Sequence, residues 1–402
     1  MKVLVVDDDP LILKALHRTF CVRWPDWEII AVTSGEMAVG WLTRSPFDLV
    51  LTDMQMPGMD GSLVLKMARE LQPNAVRVVL SGHAPLLRIM EAQGDYHRFL
   101  TKPIDPNELM TILGGFCLES SDIGTQKARA LVAGLDGIPC LPRNLVRLRG
   151  LLETPNPSLA EIHREVSQDI GMAAKILKLV NSAYLSFGRS ITDLNQAVKY
   201  LGAEVIHELV MGQNVLASAV DVTPEGLDLE GLWSHSRSVG REASALILKE
   251  TGSEAAAAEA YSIGLLHDVG MVVLATQPSS GYRAILERVV TKGANLPSLE
   301  REKYGTDHIQ IGAQLMSLWG LPESFISVIR EHHAHRLVDH TTLISLALQV
   351  AQAPQGAETL RSHYNETHFI DGVDTADAAT LGELWERLLV PWKQCREASG
   401  TG

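Results

Sequence analysis

The run Leu49-Val50-Leu51-Thr52-Asp53 constrains this chain more than any other stretch. It is apolar and β-branched, ends on a carboxylate, and is followed at once by Met54-Gln55-Met56-Pro57-Gly58. A continuous apolar run marks a strand buried on both faces, and the Pro-Gly pair marks a turn. Such a strand belongs in a parallel sheet covered by helices, with its terminal acid delivered to the rim. Three further runs repeat the pattern. Val3-Leu4-Val5-Val6 ends in Asp7-Asp8-Asp9, and Val76-Arg77-Val78-Val79-Leu80 ends in Ser81-Gly82. Phe99-Leu100 leads into Thr101-Lys102-Pro103. In an open parallel sheet the strand ends share one rim, where ligands bind. Asp7, Asp8, Asp53, Ser81 and Lys102 are therefore expected together.

Crowded carboxylates raise one another's pKa unless a cation joins them. A hard divalent ion with oxygen ligands, typically Mg²⁺, answers that need. Beside it, Lys102 and Ser81 would stabilise charge on a phosphoryl group in transit.

Residues 1–120 resemble the receiver domain of bacterial two-component response regulators. The resemblance rests on Val5-Val6-Asp7-Asp8-Asp9-Pro10, the segment Leu51 to Gly61, Leu80-Ser81-Gly82-His83 and Leu100-Thr101-Lys102-Pro103, in that order. It implies a flavodoxin-like α/β doubly wound fold in which Asp53 accepts phosphate from a sensor histidine kinase. It also implies that Asp7, Asp8, Asp53 and the backbone carbonyl of Gln55 hold Mg²⁺. Ser81 and Lys102 would read the phosphoryl group, Phe99 would be the aromatic switch position, and the Lys102-Pro103 peptide would be cis. Helices are expected over residues 11–20, 36–42, 63–71, 85–93 and 107–116.

With 402 residues, two or three domains are expected. The net charge of −13 argues against nonspecific nucleic-acid binding, which draws on Lys and Arg. Four cysteines without a C-x-x-C pair suggest free thiols in a reducing cytoplasm. The N-terminus enters a strand without a leader pattern, and no apolar stretch reads as long enough to span a membrane.

Residues 121–137 read as a linker with a short joining helix over 126–133. From Ile138 onward the apolar period is near 3.6, an all-α pattern, with Gly202 a helix stop. This half carries patterned histidines: His235, the pair His267-Asp268, His308, and the pair His332-His333. Imidazoles and a carboxylate on separate helices can converge on a metal in a bundle core. Each histidine alone is equally compatible with an ordinary core or surface position.

As a set these motifs resemble the HD superfamily of metal-dependent phosphohydrolases. More closely, residues 138–335 resemble the HDOD domain, an HD-related output domain of bacterial signalling. The resemblance is carried by Leu141-Pro142, Ser158 to Ile162, Asp169 to Tyr184, and Ala197 to Gly202. It implies a candidate metal site at His235, His267, Asp268, His308, His332 and His333, occupied by a divalent ion. The chain departs from active HD phosphodiesterases at three places. Met271 stands where they have a lysine, no Gly-Tyr-Pro follows His333, and Leu346 to Ala351 offers no late acid. An HD site without its last carboxylate should hold metal more weakly.

Two readings follow. In the first, a phosphorylated receiver controls an HDOD domain that works by contact with a downstream protein, with a homodimer through a second receiver open to it. In the second, the HDOD domain is a metal-dependent phosphohydrolase acting on cyclic dinucleotides. Residues 336–402 are expected to form a helical extension over 337–351 and 381–392.

Overall fold

The computed structural model describes residues 1–82, 94–102, 123–135, 137–181, 190–211, 226–277, 281–292, 294–333 and 347. The helices expected over 85–93, 107–116, 337–351 and 381–392 lie outside the described residues, Ala347 excepted. So does Pro103.

Five strands form one sheet: β1 (Lys2–Val6), β2 (Glu28–Val32), β3 (Leu49–Asp53), β4 (Val76–Ser81) and β5 (Arg98–Thr101). Their order is β2-β1-β3-β4-β5 and every pairing is parallel. All residues of β3 and β4 are buried, Arg77 included, as in strands covered on both faces. Helices α1 (Pro10–Arg23), α2 (Gly35–Leu42) and α3 (Gly61–Leu71) cover the faces. Two acids of the sequence motifs turn out to be helix caps. The Asp9 carboxylate accepts from Leu11 N–H, and that of Asp60 from Leu63 N–H. The strand order reverses direction between β1 and β3, which opens a crevice at their carboxyl ends.

The second body is helical throughout its described residues. Helix α4 (Ile123–Ala133) begins three residues earlier than the sequence suggests and leads into α5 (Pro142–Leu152), α6 (Leu159–Val166) and α7 (Ile170–Val180). Next comes α8 (Leu194–Met211), broken by Gly202 at φ 74°, a left-handed conformation that glycine adopts at little cost. Then follow α9 (Leu229–Thr251), α10 (Glu254–Leu266), α11 (Val269–Ala275) and α12 (Tyr282–Lys292). The described part closes with α13 (Leu296–Tyr304), α14 (His308–Trp319) and α15 (Glu323–Glu331). Contrary to the sequence expectation, the stretch Glu254–Ala275 is long and apolar enough to cross a membrane. It is 83% buried inside the protein, as a core helix is.

The two bodies touch along defined contacts. One continuous apolar cluster runs from Val5, Leu51 and Phe99 to Val132, Ile176 and Val180. Helix α4 packs on α14. The buried Arg77 guanidinium donates to Asp95 O at 2.8 Å and reaches Ala133 O at the end of α4. On α7, the Lys178 ammonium donates to Tyr96 O at 2.8 Å and lies 5.0 Å from that ring's centre.

Candidate functional site

Two sites emerge, each built around one aspartate. The first lies at the rim of the sheet. Asp53 ends β3 and Asp7 follows β1, and both are buried, while Asp8 is exposed. Single carboxylate oxygens of the three lie within 4.8 Å of one another. Lys102, just past β5, sends its ammonium between two of them, 2.6 Å from Asp7 Oδ2 and 2.7 Å from Asp53 Oδ2. Burial raises the Asp7 carboxyl pKa above its ordinary value despite the Lys102 bond. Burial alone would lower the Lys102 pKa, but its bonds to Asp53 and Asp7 outweigh that and raise it. Gln55 is exposed in the loop after β3, and its N–H reaches back to Asp53 Oδ1. Ser81 is buried, and its hydroxyl has no hydrogen-bond partner among the described residues. Phe99 is fully buried on β5, its ring edge-on to Tyr96 at 6.3 Å. The rim thus brings together every residue the sequence placed there. Carboxylate oxygens gathered at the rim fit a hard cation such as Mg²⁺.

The second site lies inside the helical body. His235 comes from α9, His267 and Asp268 from the α10–α11 junction, His308 from the start of α14, and His332 and His333 from the end of α15. Two close helix contacts bring them together. A Cβ on Gly264 would lie 2.5 Å from Gly240 Cα, so α9 and α10 approach as only paired glycines allow. A Cβ on Gly270 would lie 2.0 Å from His308 O, so α14 is pressed onto α11 beside Asp268. The six predicted residues therefore share one pocket. Asp268, His308, His332 and His333 form one group of possible ligands, and His235, His267 and Asp268 form another, with Asp268 common to both.

Proton placement within the pocket is informative. His267 Nδ1 lies 2.7 Å from Gly264 O, and His332 Nδ1 2.6 Å from Ile329 O. Carbonyls only accept, so both Nδ1 atoms carry a proton, and each Nε2 is the atom left to face a cation. Those Nε2 atoms, with that of His308, are buried and make no hydrogen bond among the described residues. They face Asp268 at 3.0, 3.5 and 3.8 Å, respectively. A carboxylate ringed by imidazole nitrogens is stabilised by positive charge among them, carried by protons on the rings or by a cation between them. A donor set of imidazoles and one carboxylate suits a transition ion rather than Mg²⁺. Burial opposes charge on Asp268, but His267, His235 and His332 outweigh it and hold the carboxyl well below the usual range. Burial lowers the pKa of His332, and burial with the neighbouring His332 and His308 lowers that of His333. Met271, in the lysine's place, packs against the core.

The sequence reading missed Glu300. This carboxylate is fully buried, accepts from Tyr282 OH and His308 N–H, and lies 2.6 Å from His308 Nδ1. Burial would lower the His308 pKa, but Glu300 reverses that and raises it to about 9. A signal existed: Pro297, Glu300 and Tyr304 fall on one face of α13, an unusual place for a charge.

Comparison with known proteins finds two family matches along the chain. Residues 3–114 match the response regulator receiver domain family, and residues 138–335 match the HDOD domain family. The chain belongs to the response regulators, with a receiver domain followed by an HDOD domain. An uncharacterized protein of Treponema pallidum (strain Nichols) is 33% identical over 230 residues, 55% of this chain and 43% of that protein. Response regulator protein FleR of Pseudomonas aeruginosa is 35% identical over 121 residues, 29% of this chain and 24% of that protein. The chain spans less than half the length of either relative. Among solved structures, the MmoQ response regulator of Methylococcus capsulatus str. Bath is 22% identical with a TM-score of 0.47, covering 63% of this chain and 98% of that one.

Proposed function

We propose that Asp53 takes a phosphoryl group from a sensor histidine kinase and that the HDOD domain answers by contact with a downstream protein. The observation that carries this reading is the Lys102 ammonium held between Asp7 and Asp53. It leaves a paired cation beside the one carboxylate that ends a buried strand. In transfer, a carboxylate oxygen of Asp53 attacks phosphorus as the bond to the kinase's histidine breaks. Asp7, Asp8, Asp53 and the Gln55 carbonyl would hold Mg²⁺, which when bound neutralises charge on the phosphoryl oxygens. Ser81 supplies a hydroxyl with no other partner among the described residues. Phe99, on the strand that leads to Lys102, packs edge-on against Tyr96, whose carbonyl Lys178 of α7 holds. A shift of Phe99 therefore has a physical route into the helical body.

In this reading residues 1–120 are the receiver, 121–137 the joint, 138–335 the output domain and 336–402 an extension, acting in the cytoplasm. A small phosphodonor with Mg²⁺ should label the chain. Asp53→Asn keeps the shape and removes the nucleophile. Equal labelling of the variant would refute the assignment.

A second reading, metal-dependent hydrolysis of a phosphodiester, is favoured by the Nε2 atoms gathered around Asp268. The missing lysine at Met271 weighs against it. Metal-dependent turnover of a cyclic dinucleotide that vanishes in His267→Ala would select this reading.

A further inference from the structure

We propose that Glu300, itself held by Tyr282, is a positioning residue that makes His308 a ligand through Nε2. The inference rests on the reading that the histidine pocket holds a divalent ion, and it names a residue outside that ligand set.

The other two fully buried histidines of the pocket are oriented by backbone carbonyls, Gly264 O for His267 and Ile329 O for His332. His308 cannot be oriented that way. It is the first residue of α14, so no preceding turn of that helix lies beneath it to offer a carbonyl. Glu300 takes over the task from the neighbouring helix α13. One oxygen, Oε2, accepts from both the backbone N–H of His308 at 3.0 Å and its ring Nδ1 at 2.6 Å. The other, Oε1, accepts from the Tyr282 hydroxyl, which is itself fully buried on α12. Every polar atom of the carboxylate is therefore engaged, and its plane is fixed by three donors on two elements.

The consequence is chemical. A carboxylate can only accept, so Nδ1 of His308 must keep its proton. That leaves Nε2, directed at Asp268 3.8 Å from Oδ1, as the ring atom that gives up its proton to a cation. The negative charge of Glu300 also makes the ring a stronger donor than a carbonyl would. The loop between the two residues is fixed too: Asp307 caps α14 by accepting from Gln310 N–H and pairs with Arg301. Glu300 is not a ligand in this account, since His308 stands between it and Asp268.

The test measures Zn²⁺ binding to the full chain by competition with a chromogenic chelator, together with Co²⁺ visible absorption. Glu300→Gln can keep the hydrogen bonds but removes the charge. The pair Tyr282→Phe/Glu300→Leu removes the acceptor without stranding the tyrosine hydroxyl. Outer partners of ligating histidines typically contribute about 10–100-fold to affinity. Glu300→Gln is expected near the lower end, and the pair near the upper end, at the one ion that His308→Ala also removes. Combining His308→Ala with Glu300→Gln should add nothing, because the two act on one ligand. Thermal melts report whether each variant folds, and Glu300→Gln keeps the test valid should the pair not fold.

Wild-type affinity in Glu300→Gln, or additive losses with His308→Ala, would overturn the proposal. If the wild-type chain takes up no Zn²⁺ or Co²⁺, the metal reading itself fails. The positioning claim then stands or falls on ¹⁵N imidazole NMR. Once the ring has lost one proton, at a pH above about 9, Nδ1 of His308 should keep the other in the wild type and share it with Nε2 in Tyr282→Phe/Glu300→Leu. An unchanged ring would overturn it.

Discussion

The rim of the sheet and the heart of the helical body each surround one aspartate with possible ligands, yet they are built in opposite ways. Around Asp53 stand other acids and one ammonium, with Asp8 open to solvent. Around Asp268 stand imidazoles, three of them fully buried. The first arrangement suits a hard ion that comes and goes and a phosphodonor that must reach it. The second suits a softer ion held from inside. A rim formed by strand ends is accessible because loops follow it. A pocket formed by helix junctions is enclosed because α9, α10, α11, α14 and α15 all contribute to its walls.

The largest effect that could break this comparison comes from Asp268, which both groups of possible ligands share. Asp268→Asn keeps the volume but removes the charge facing three Nε2 atoms. Zn²⁺ affinity should fall by more than the roughly 100-fold of a single outer partner. Phosphoryl labelling at Asp53 should be unchanged. Unchanged Zn²⁺ affinity, or loss of labelling, would show that the two centres are not arranged as described.

A smaller, pH-dependent effect belongs to the contact between the bodies. Burial, with Arg77 and Lys175 nearby, lowers the Lys178 pKa to about 7, while Asp95 opposes the shift. His97 beside it is pushed well below its ordinary value by burial and then by Arg77 and Lys178, so it adds no charge near neutrality. For a lysine lowered on folding, the folded state binds fewer protons between the two pKa values. The penalty is therefore full below about pH 7 and relieved as pH rises toward 10.5. Thermal stability of the wild type should rise with pH over that window relative to Lys178→Met. Parallel pH profiles would show that the ammonium is not buried at this contact.

Legibility from sequence differs between the two sites for the same structural reasons. A strand that is apolar throughout and ends in an acid states both its burial and its chemistry, so the pattern alone places Asp7, Asp53, Ser81 and Lys102 together. The histidines were legible as a set, because His267-Asp268 and His332-His333 each sit at the end of an apolar helix. Glu300 was not, since Leu296 to Tyr304 reads as a charged, solvated helix unless its Pro297 face is followed. The Tyr96–Lys178 contact was not legible either. Local pattern tells which face of α7 is apolar, not which body will cover its edge. The part of Gly264 and Gly270 in bringing helices together depends on the neighbouring backbone, which no local pattern supplies.

The most direct test of the account is hydrogen exchange across α4 and α14 before and after the full chain is treated with a small phosphodonor and Mg²⁺. Helix α4 leaves the receiver side and packs on the helix that opens with His308. The account predicts that exchange in α4 and α14 changes in the wild type and stays fixed in Asp53→Asn. Identical exchange in both proteins, with the wild type demonstrably phosphorylated, would contradict control of the helical body by the receiver.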